Sequence, residues 1–355
     1  MRPLSDTLMR MTAFRDAASA MGGRPGSDRL TEFKGFGGNP GALRALAYVP
    51  GALPRHAPLV VVLHGCTQSA AEYDLGSGWS ALAEEAGFAL LFPEQARANN
   101  FNLCFNWFEP GDTRRGRGEA ASIRQMIEKM IVTHGLDRRR VFVTGLSAGG
   151  AMASVLLASY PEVFAGGAVI AGLPYGVAGS PMEAFDRMRG QGGPEPDALP
   201  GLVRKASAHK GPWPALSVWH GGADHTVNPA NGEALLHQWR GLHRLDEDPS
   251  HTDAQPGHTR RTWHDARGRP VLEHVLVDGM GHGVPLKPDG APGGGVSGAY
   301  MLDVGLASTI AIARSWDLLD KPPTRPRKAK AAGPAQANPL LAVIEDALRA
   351  AGLMR

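Results

Sequence analysis

Residues 140–158 decide the fold: Arg140-Val141-Phe142-Val143-Thr144-Gly145-Leu146-Ser147-Ala148-Gly149-Gly150-Ala151-Met152-Ala153-Ser154-Val155-Leu156-Leu157-Ala158. The stretch opens as an apolar, β-branched run and closes as a helix-forming one, with a G-x-S-x-G pentapeptide between them. A serine placed there sits on a sharp, strained strand-to-helix turn that exposes its hydroxyl. Small residues on both sides let the backbone bend and let strand and helix approach closely. With 46 glycines in the chain the pentapeptide alone is a weak signal, so the flanking strand and helix carry the weight. The alternative is that Ser147 only caps the helix.

Outward from this turn the same rhythm repeats. Leu59-Val60-Val61-Val62-Leu63 reads as a strand buried on both faces, residues 80–86 as a helix, and 88–92 as a strand ended by Pro93. A polar, aromatic loop spans 94–118, and 119–134 carries a helical face of Ile123, Met126, Ile127, Met130 and Ile131. Further strands are expected at 164–170, 215–219, 259–264 and 271–277, a helix at 231–243, and a loop at 251–258. Such alternation implies a mostly parallel sheet with helices on both faces. Residues 177–212, rich in Gly, Pro and charge, are long enough for a lid-like insertion, with a short helix near 182–188.

Two more segments complete a chemical pattern: His220-Gly221-Gly222-Ala223-Asp224, then Gly279-Met280-Gly281-His282-Gly283. Nucleophile, acid, histidine is the chain order of the α/β-hydrolase fold, which is therefore the expected architecture. A serine hydroxyl needs an adjacent base, and an imidazole titrates in the right range. His282 follows the last core strand, where such a base belongs; His220 and His225 come too early. Asp224, just past a strand, is the expected acid that orients the imidazole, with Asp278 as the alternative. Developing negative charge on a carbonyl oxygen needs fixed donors. The backbone N–H of Ala148 is one expected donor, and that of Cys66 the other, with Thr67 as fallback. Trp107, Tyr175 and Trp213 are candidate substrate contacts, although tryptophans of this kind often serve as core. Arg114, Arg115 and Arg117 read as a solvated cluster or as partners of nearby acids.

Composition bounds the remaining possibilities. The chain has 355 residues, 43% hydrophobic and 20% charged, with a net charge of +3, so charge points to neither nucleic acid nor an acidic surface as partner. No apolar run reaches membrane-spanning length. The expected organisation is an N-terminal amphipathic helical extension over 1–29, a catalytic domain over 30–320, a basic Pro/Ala-rich linker over 321–338 and a C-terminal amphipathic helix over 339–355. The N-terminus lacks the uninterrupted apolar core of a secretory signal, which by itself points to the cytoplasm. Cys66 and Cys104 are the only cysteines, show no metal-ligand spacing, and on sequence alone are either bridged or free.

Taken together, the chain resembles the polyhydroxybutyrate depolymerase family of esterases, related to feruloyl and acetylxylan esterases. The resemblance spans roughly Leu30 to His282. Its carriers are Leu63-His64-Gly65-Cys66-Thr67-Gln68, Cys104-Phe105-Asn106-Trp107-Phe108, residues 145–152, Gly172-Leu173-Pro174-Tyr175-Gly176 and residues 220–227. It implies Ser147, Asp224 and His282 as a triad, Cys66 at the oxyanion site, and a Cys66–Cys104 bond. It also implies ester hydrolysis through an acyl-enzyme, without metal or cofactor, on small or oligomeric ester substrates; relatives are often secreted. The stretch after Asp320 is too short for the separate polymer-binding module of secreted depolymerases, which favours soluble or oligomeric esters over solid polyester. Feruloyl or acetylxylan esterase action is the nearest alternative. A peptidase or acyltransferase with the same triad, or a catalytically silent hydrolase-like binding protein, are the more distant ones.

Overall fold

The structure, a computed structural model, describes residues 26–319. The helix expected over 1–29 lies outside the described residues except for 26–29, which end in a turn; the linker over 321–338 and the helix over 339–355 lie outside as well.

Two strands, β3 (Leu59–Leu63) and β5 (Val141–Leu146), are buried at every position, as Val- and Leu-rich runs covered on both faces must be. They pair in parallel, Val61 opposite Val143. Around them, β4 (Ala89–Glu94), β6 (Gly166–Ile170), β7 (Ala215–Gly221) and β10 (Pro270–Val277) extend the parallel core. Antiparallel strands close both ends. β1 (Thr31–Glu32) and β2 (Arg44–Tyr48) lie beside β4, and β8 (His251–Gln255) and β9 (His258–His264) lie beside β10. The order is β1-β2-β4-β3-β5-β6-β7-β10-β9-β8, a ten-stranded sheet among the described residues. This is the expected α/β-hydrolase arrangement.

Side-chain alternation along β3 divides the core. Leu59, Val61 and Leu63 join one apolar cluster and Val60 and Val62 the other. The first contains Ile123 and Met126 of α4 (Gly118–His134), Leu156 of α5 (Ala148–Ser159) and Trp239 of α8 (Ala230–His243). On the second face lie Tyr73 of α1 (Ala70–Ser77), Trp79 of α2 (Trp79–Ala86) and Ile312 of α9 (Ser308–Ser315). There Trp316 stacks between Phe142 and Trp79, with ring centroids 4.8 and 6.2 Å away. A short α3 (Pro110–Thr113) precedes α4. No helix among the described residues is long and apolar enough to cross a membrane.

Several elements depart from the sequence expectation. Pro93, opposite Ala45 of β2, does not end its strand: β4 continues through it to Glu94, opposite Arg44. Pairing with β3 stops at Leu91, so the missing N–H of Pro93 forfeits no bond on that side. Residues 251–255, expected as loop, form β8, a polar edge strand with little burial whose backbone bonds to β9 compensate for the absent apolar pattern. β1, β2, α1 and the small parallel pair β11 (Val284–Leu286) and β12 (Met301–Asp303) were not anticipated. Residues 177–212 do form an insertion, containing α6 (Pro181–Met188) and α7 (Leu199–Ala206). It sits tightly on α8: a Cβ on Gly241 would lie 2.3 Å from the Pro200 ring.

Candidate active site

The strand-turn-helix at residue 147 explains its own sequence. Ser147 has φ 58° and ψ −119°, a strained conformation for a residue with a side chain. It is held because the Ser147 N–H donates to Ile170 O at 2.9 Å while its carbonyl accepts from Ala151 N–H at 2.8 Å. The motif glycines are demanded by contact: a Cβ on Gly149 would lie 2.4 Å from Leu63 O, and one on Gly145 2.5 Å from the Gly149 carbonyl carbon. Ala148 is the first residue of α5, so its N–H belongs to the helix-terminal donors that have no intrahelical acceptor.

The loop after β3 carries the other expected donor. Its amides divide by partner: Gly65 N–H donates to Gln68 Oε1 at 2.8 Å, Thr67 N–H to Asn102 O at 2.7 Å, and Gln68 N–H to Gly65 O at 3.3 Å. Thr67, the fallback donor, is thereby committed elsewhere. The Cys66 amide has no acceptor among the described residues, and Cys66 and Ser147 line one cleft. A disulfide joins Cys66 to Cys104 across 38 residues of sequence. Buried His64 packs on Phe105, with ring centroids 5.0 Å apart, and pairs through Nδ1 with Gly65 O at 2.8 Å. Its Nε2 accepts from Gln95 N–H at 3.1 Å, so the proton sits on Nδ1. Gln95 Nε2 in turn donates to Cys104 O at 2.9 Å and to Glu119 Oε1 at 2.6 Å. The other Glu119 oxygen accepts from Asn106 N–H at 2.9 Å. Burial at 1% exposure pushes the Glu119 carboxyl up to about 8, against the pull of those two donors.

On the far side of the cleft, His282 Nδ1 lies 2.7 Å from Asp224 Oδ2. The carboxylate accepts, so Nδ1 donates and Nε2 is the nitrogen left to exchange protons. Asp224 Oδ1 accepts from Thr226 N–H at 2.8 Å and Val227 N–H at 2.9 Å, an Asx turn. Burial works to raise the Asp224 carboxyl, but the bond and charge of His282, the Val227 amide and the nearby His220 outweigh it and hold it below the ordinary aspartate value. The acid's turn is laced to the histidine's loop by Gly222 N–H to Val277 O at 2.8 Å and Ala223 N–H to Met280 O at 2.9 Å. Of the alternatives, Asp278 and His225 are exposed, whereas His220 is buried.

Ser147 and His282 line the same cleft, about 610 Å³ including the solvent at its mouth. Met188, Asn102 and Tyr300 line it too. None of the three was singled out from sequence. Met188 ends α6, so the 177–212 insertion was the available signal; Asn102 and Tyr300 sit in loops with none. Trp107, Tyr175 and Trp213 lie elsewhere. Trp107 is buried in the core with its ring edge-on to Phe108, 5.4 Å away. Tyr175 is tied to Gln238 through its backbone N–H at 3.0 Å, and Trp213 meets His209 edge-on at 5.0 Å. None of the three lines the cleft shared by Ser147 and His282, because each is engaged in its own packing. Of the arginine cluster, Arg115 pairs with Glu162 at 2.6 Å.

Comparison with known proteins identifies the family. The family described as "Esterase PHB depolymerase" matches residues 43–262. Poly(3-hydroxyalkanoate) depolymerase C of Paucimonas lemoignei is 46% identical over 292 residues, covering 82% of this chain and 70% of that one. Acetylxylan esterase A of Aspergillus oryzae is 30% identical over 75% of this chain and 87% of its own. Among solved structures, the acetyl xylan esterase from Aspergillus awamori superposes with a TM-score of 0.66 at 28% identity, over 71% of this chain and 93% of that one. By sequence and by fold, the chain belongs to the polyhydroxybutyrate depolymerase family of esterases and is a hydrolase of carboxylic esters.

Proposed function

We propose that the protein cleaves esters of short hydroxyacids, oligomeric 3-hydroxyalkanoates foremost, with Ser147, His282 and Asp224 as its triad. The bond of 2.7 Å between His282 and Asp224, in the cleft that Ser147 also lines, carries the reading. Ser147 Oγ attacks the acyl carbon while its proton passes to His282 Nε2, and Asp224 steadies the imidazolium. The tetrahedral oxyanion is received by the Cys66 and Ala148 amides. Collapse breaks the ester bond, and the departing alcohol takes the proton from His282. Water, deprotonated by the same imidazole, then releases the acid and frees Ser147.

The cleft walls mix apolar Leu146 and Met188 with polar Gln68, Asn102 and Thr226, which suits an acyl chain bearing a further oxygen. The 46% identity to a poly(3-hydroxyalkanoate) depolymerase supports that substrate class. Acetyl ester cleavage on a polysaccharide is the second reading, supported by the fold likeness to an acetyl xylan esterase. A panel of hydroxybutyrate dimers and trimers, feruloyl esters and acetylated xylan separates the two, with Ser147→Ala as control. The expected result is the highest kcat/KM on hydroxybutyrate oligomers, and a fall in kcat of about 10⁵-fold or more in the variant. A preference for acetylated xylan overturns the substrate; an active Ser147→Ala overturns the nucleophile.

A further inference from the structure

Behind Asp224 lie two buried histidines that the proposed reaction does not use, His220 of β7 and His274 of β10. Strand pairing sets His220 opposite Leu276 and His274 opposite Val218, so the two rings leave one face of the sheet as diagonal neighbours. The first turn of α8 crosses above them with Gly232. A Cβ there would lie 3.2 Å from His220 Nδ1 and 3.4 Å from His274 Nε2.

Their protons can be placed. His220 Nε2 is 2.9 Å from the Val227 carbonyl, which only accepts, so Nε2 carries the hydrogen and Nδ1 is bare. Arg261 Nη2 is 2.7 Å from His274 Nδ1; a guanidinium only donates, so the His274 hydrogen sits on Nε2. The two nitrogens beneath Gly232 are therefore a donor and an acceptor, complementary yet each buried without a protein partner among the described residues. Leaving buried polar atoms without a hydrogen bond is costly, and a site offering two polar partners is one a water molecule can occupy.

We propose that one bound water over Gly232 accepts from His274 Nε2–H and donates to His220 Nδ1, making His220 a positioning residue for Asp224. The relay runs from the surface ion pair of Arg261 with Glu233, through His274, the water and His220, to the turn that holds the acid. His220 pins Val227, whose own N–H bonds Asp224 Oδ1, and its Nε2 stands 3.6 Å from the Asp224 oxygen that receives His282. Burial of both rings lowers their proton affinity and keeps the relay neutral.

The inference rests on the proposed triad, which Ser147→Ala tests separately. Its own test is a cycle of Gly232→Ala and His220→Gln, with kcat and KM for p-nitrophenyl butyrate normalised to fluorophosphonate-titrated sites. The Gln amide nitrogen reaches the Nε2 position but offers nothing at Nδ1, so His220→Gln should retain more kcat than His220→Ala. The added methyl at 232 takes the water's place. It should lower kcat about fivefold at unchanged KM in the wild-type background and no further in His220→Gln. Equal losses in both backgrounds, or no loss in either, overturn the relay. Should Gly232→Ala fail to fold, a crystal structure of the unaltered protein decides: solvent density between the two nitrogens supports the relay, and a direct contact or a dry gap overturns it.

Discussion

The two walls of the cleft are built on different principles. The wall around Cys66 is locked through elements distant in sequence: a disulfide across 38 residues, buried His64, and the Gln95–Glu119–Asn106 network. The His282 wall has no covalent tie. Its loop is held by the side-chain bond to Asp224, by backbone bonds to the acid's own turn, by Val284 N–H to Tyr300 O at 2.8 Å and by the edge-on ring of Tyr300. A donor for a developing charge works best when it does not have to reorganise, whereas a proton carrier must serve attack and departure in turn. On the proposed assignment, covalent and buried polar restraint lies on the wall that would receive the oxyanion.

Substitutions can break this contrast, the largest effect coming from the loosely tied wall. Asp224→Asn should lower kcat about 10⁴-fold, because an amide in place of the carboxylate supports the wrong imidazole tautomer. Steady-state kinetics with an unchanged urea midpoint would place the loss in chemistry; a loss below tenfold would mean that His282 is held by other contacts. Opening the cystine with Cys104→Ser comes next. It should cost about 4 kcal/mol in a urea titration for a closed loop of 38 residues. It should also lower kcat about tenfold as the Cys66 amide loses its fixed place. Unchanged kcat in the folded variant would show that the cystine stabilises without positioning.

Glu119 sharpens the contrast through pH. Its carboxyl stands at about 8 in the folded protein against 4.5 when free, so the native state binds a proton that the unfolded chain has released. Its contribution to stability is full below pH 4.5 and is lost as pH rises towards 8. The buried histidines His64, His220 and His274 are lowered instead, and their contribution is complete above their free value of 6.5. Between pH 6.5 and 8 the wild type should therefore lose about 2 kcal/mol that Glu119→Gln does not lose. Parallel urea midpoints for the two proteins would remove Glu119 from the lock. The smallest effect belongs to Trp213, outside the cleft: Trp213→Ala should leave kcat/KM within about twofold on p-nitrophenyl esters.

Legibility in the sequence follows how local each cause is. The turn at Ser147 was readable because strand, turn and helix are contiguous, and the positions of Asp224 and His282 because each follows a core strand. α1 could have been read, since Ser69 and Glu72 form a capping box, the pattern of Ser followed three residues later by Glu. β8 and β2 could not be read in the same way, because partner strands' backbones, absent from any local pattern, hold them in place. Trp107 looks available in a polar loop, but its ring is buried in the core, edge-on to Phe108. Tyr300 and Asn102 reach the cleft from loops whose paths depend on the whole domain.

Cys66 is at once half of a cystine and a lining residue of the cleft. On the proposed assignment, thiol reagents would not be neutral additives for this enzyme. Activity recorded in dithiothreitol and activity recorded without it would then belong to two different catalysts, and a purification buffer chosen by habit would decide which of them is studied.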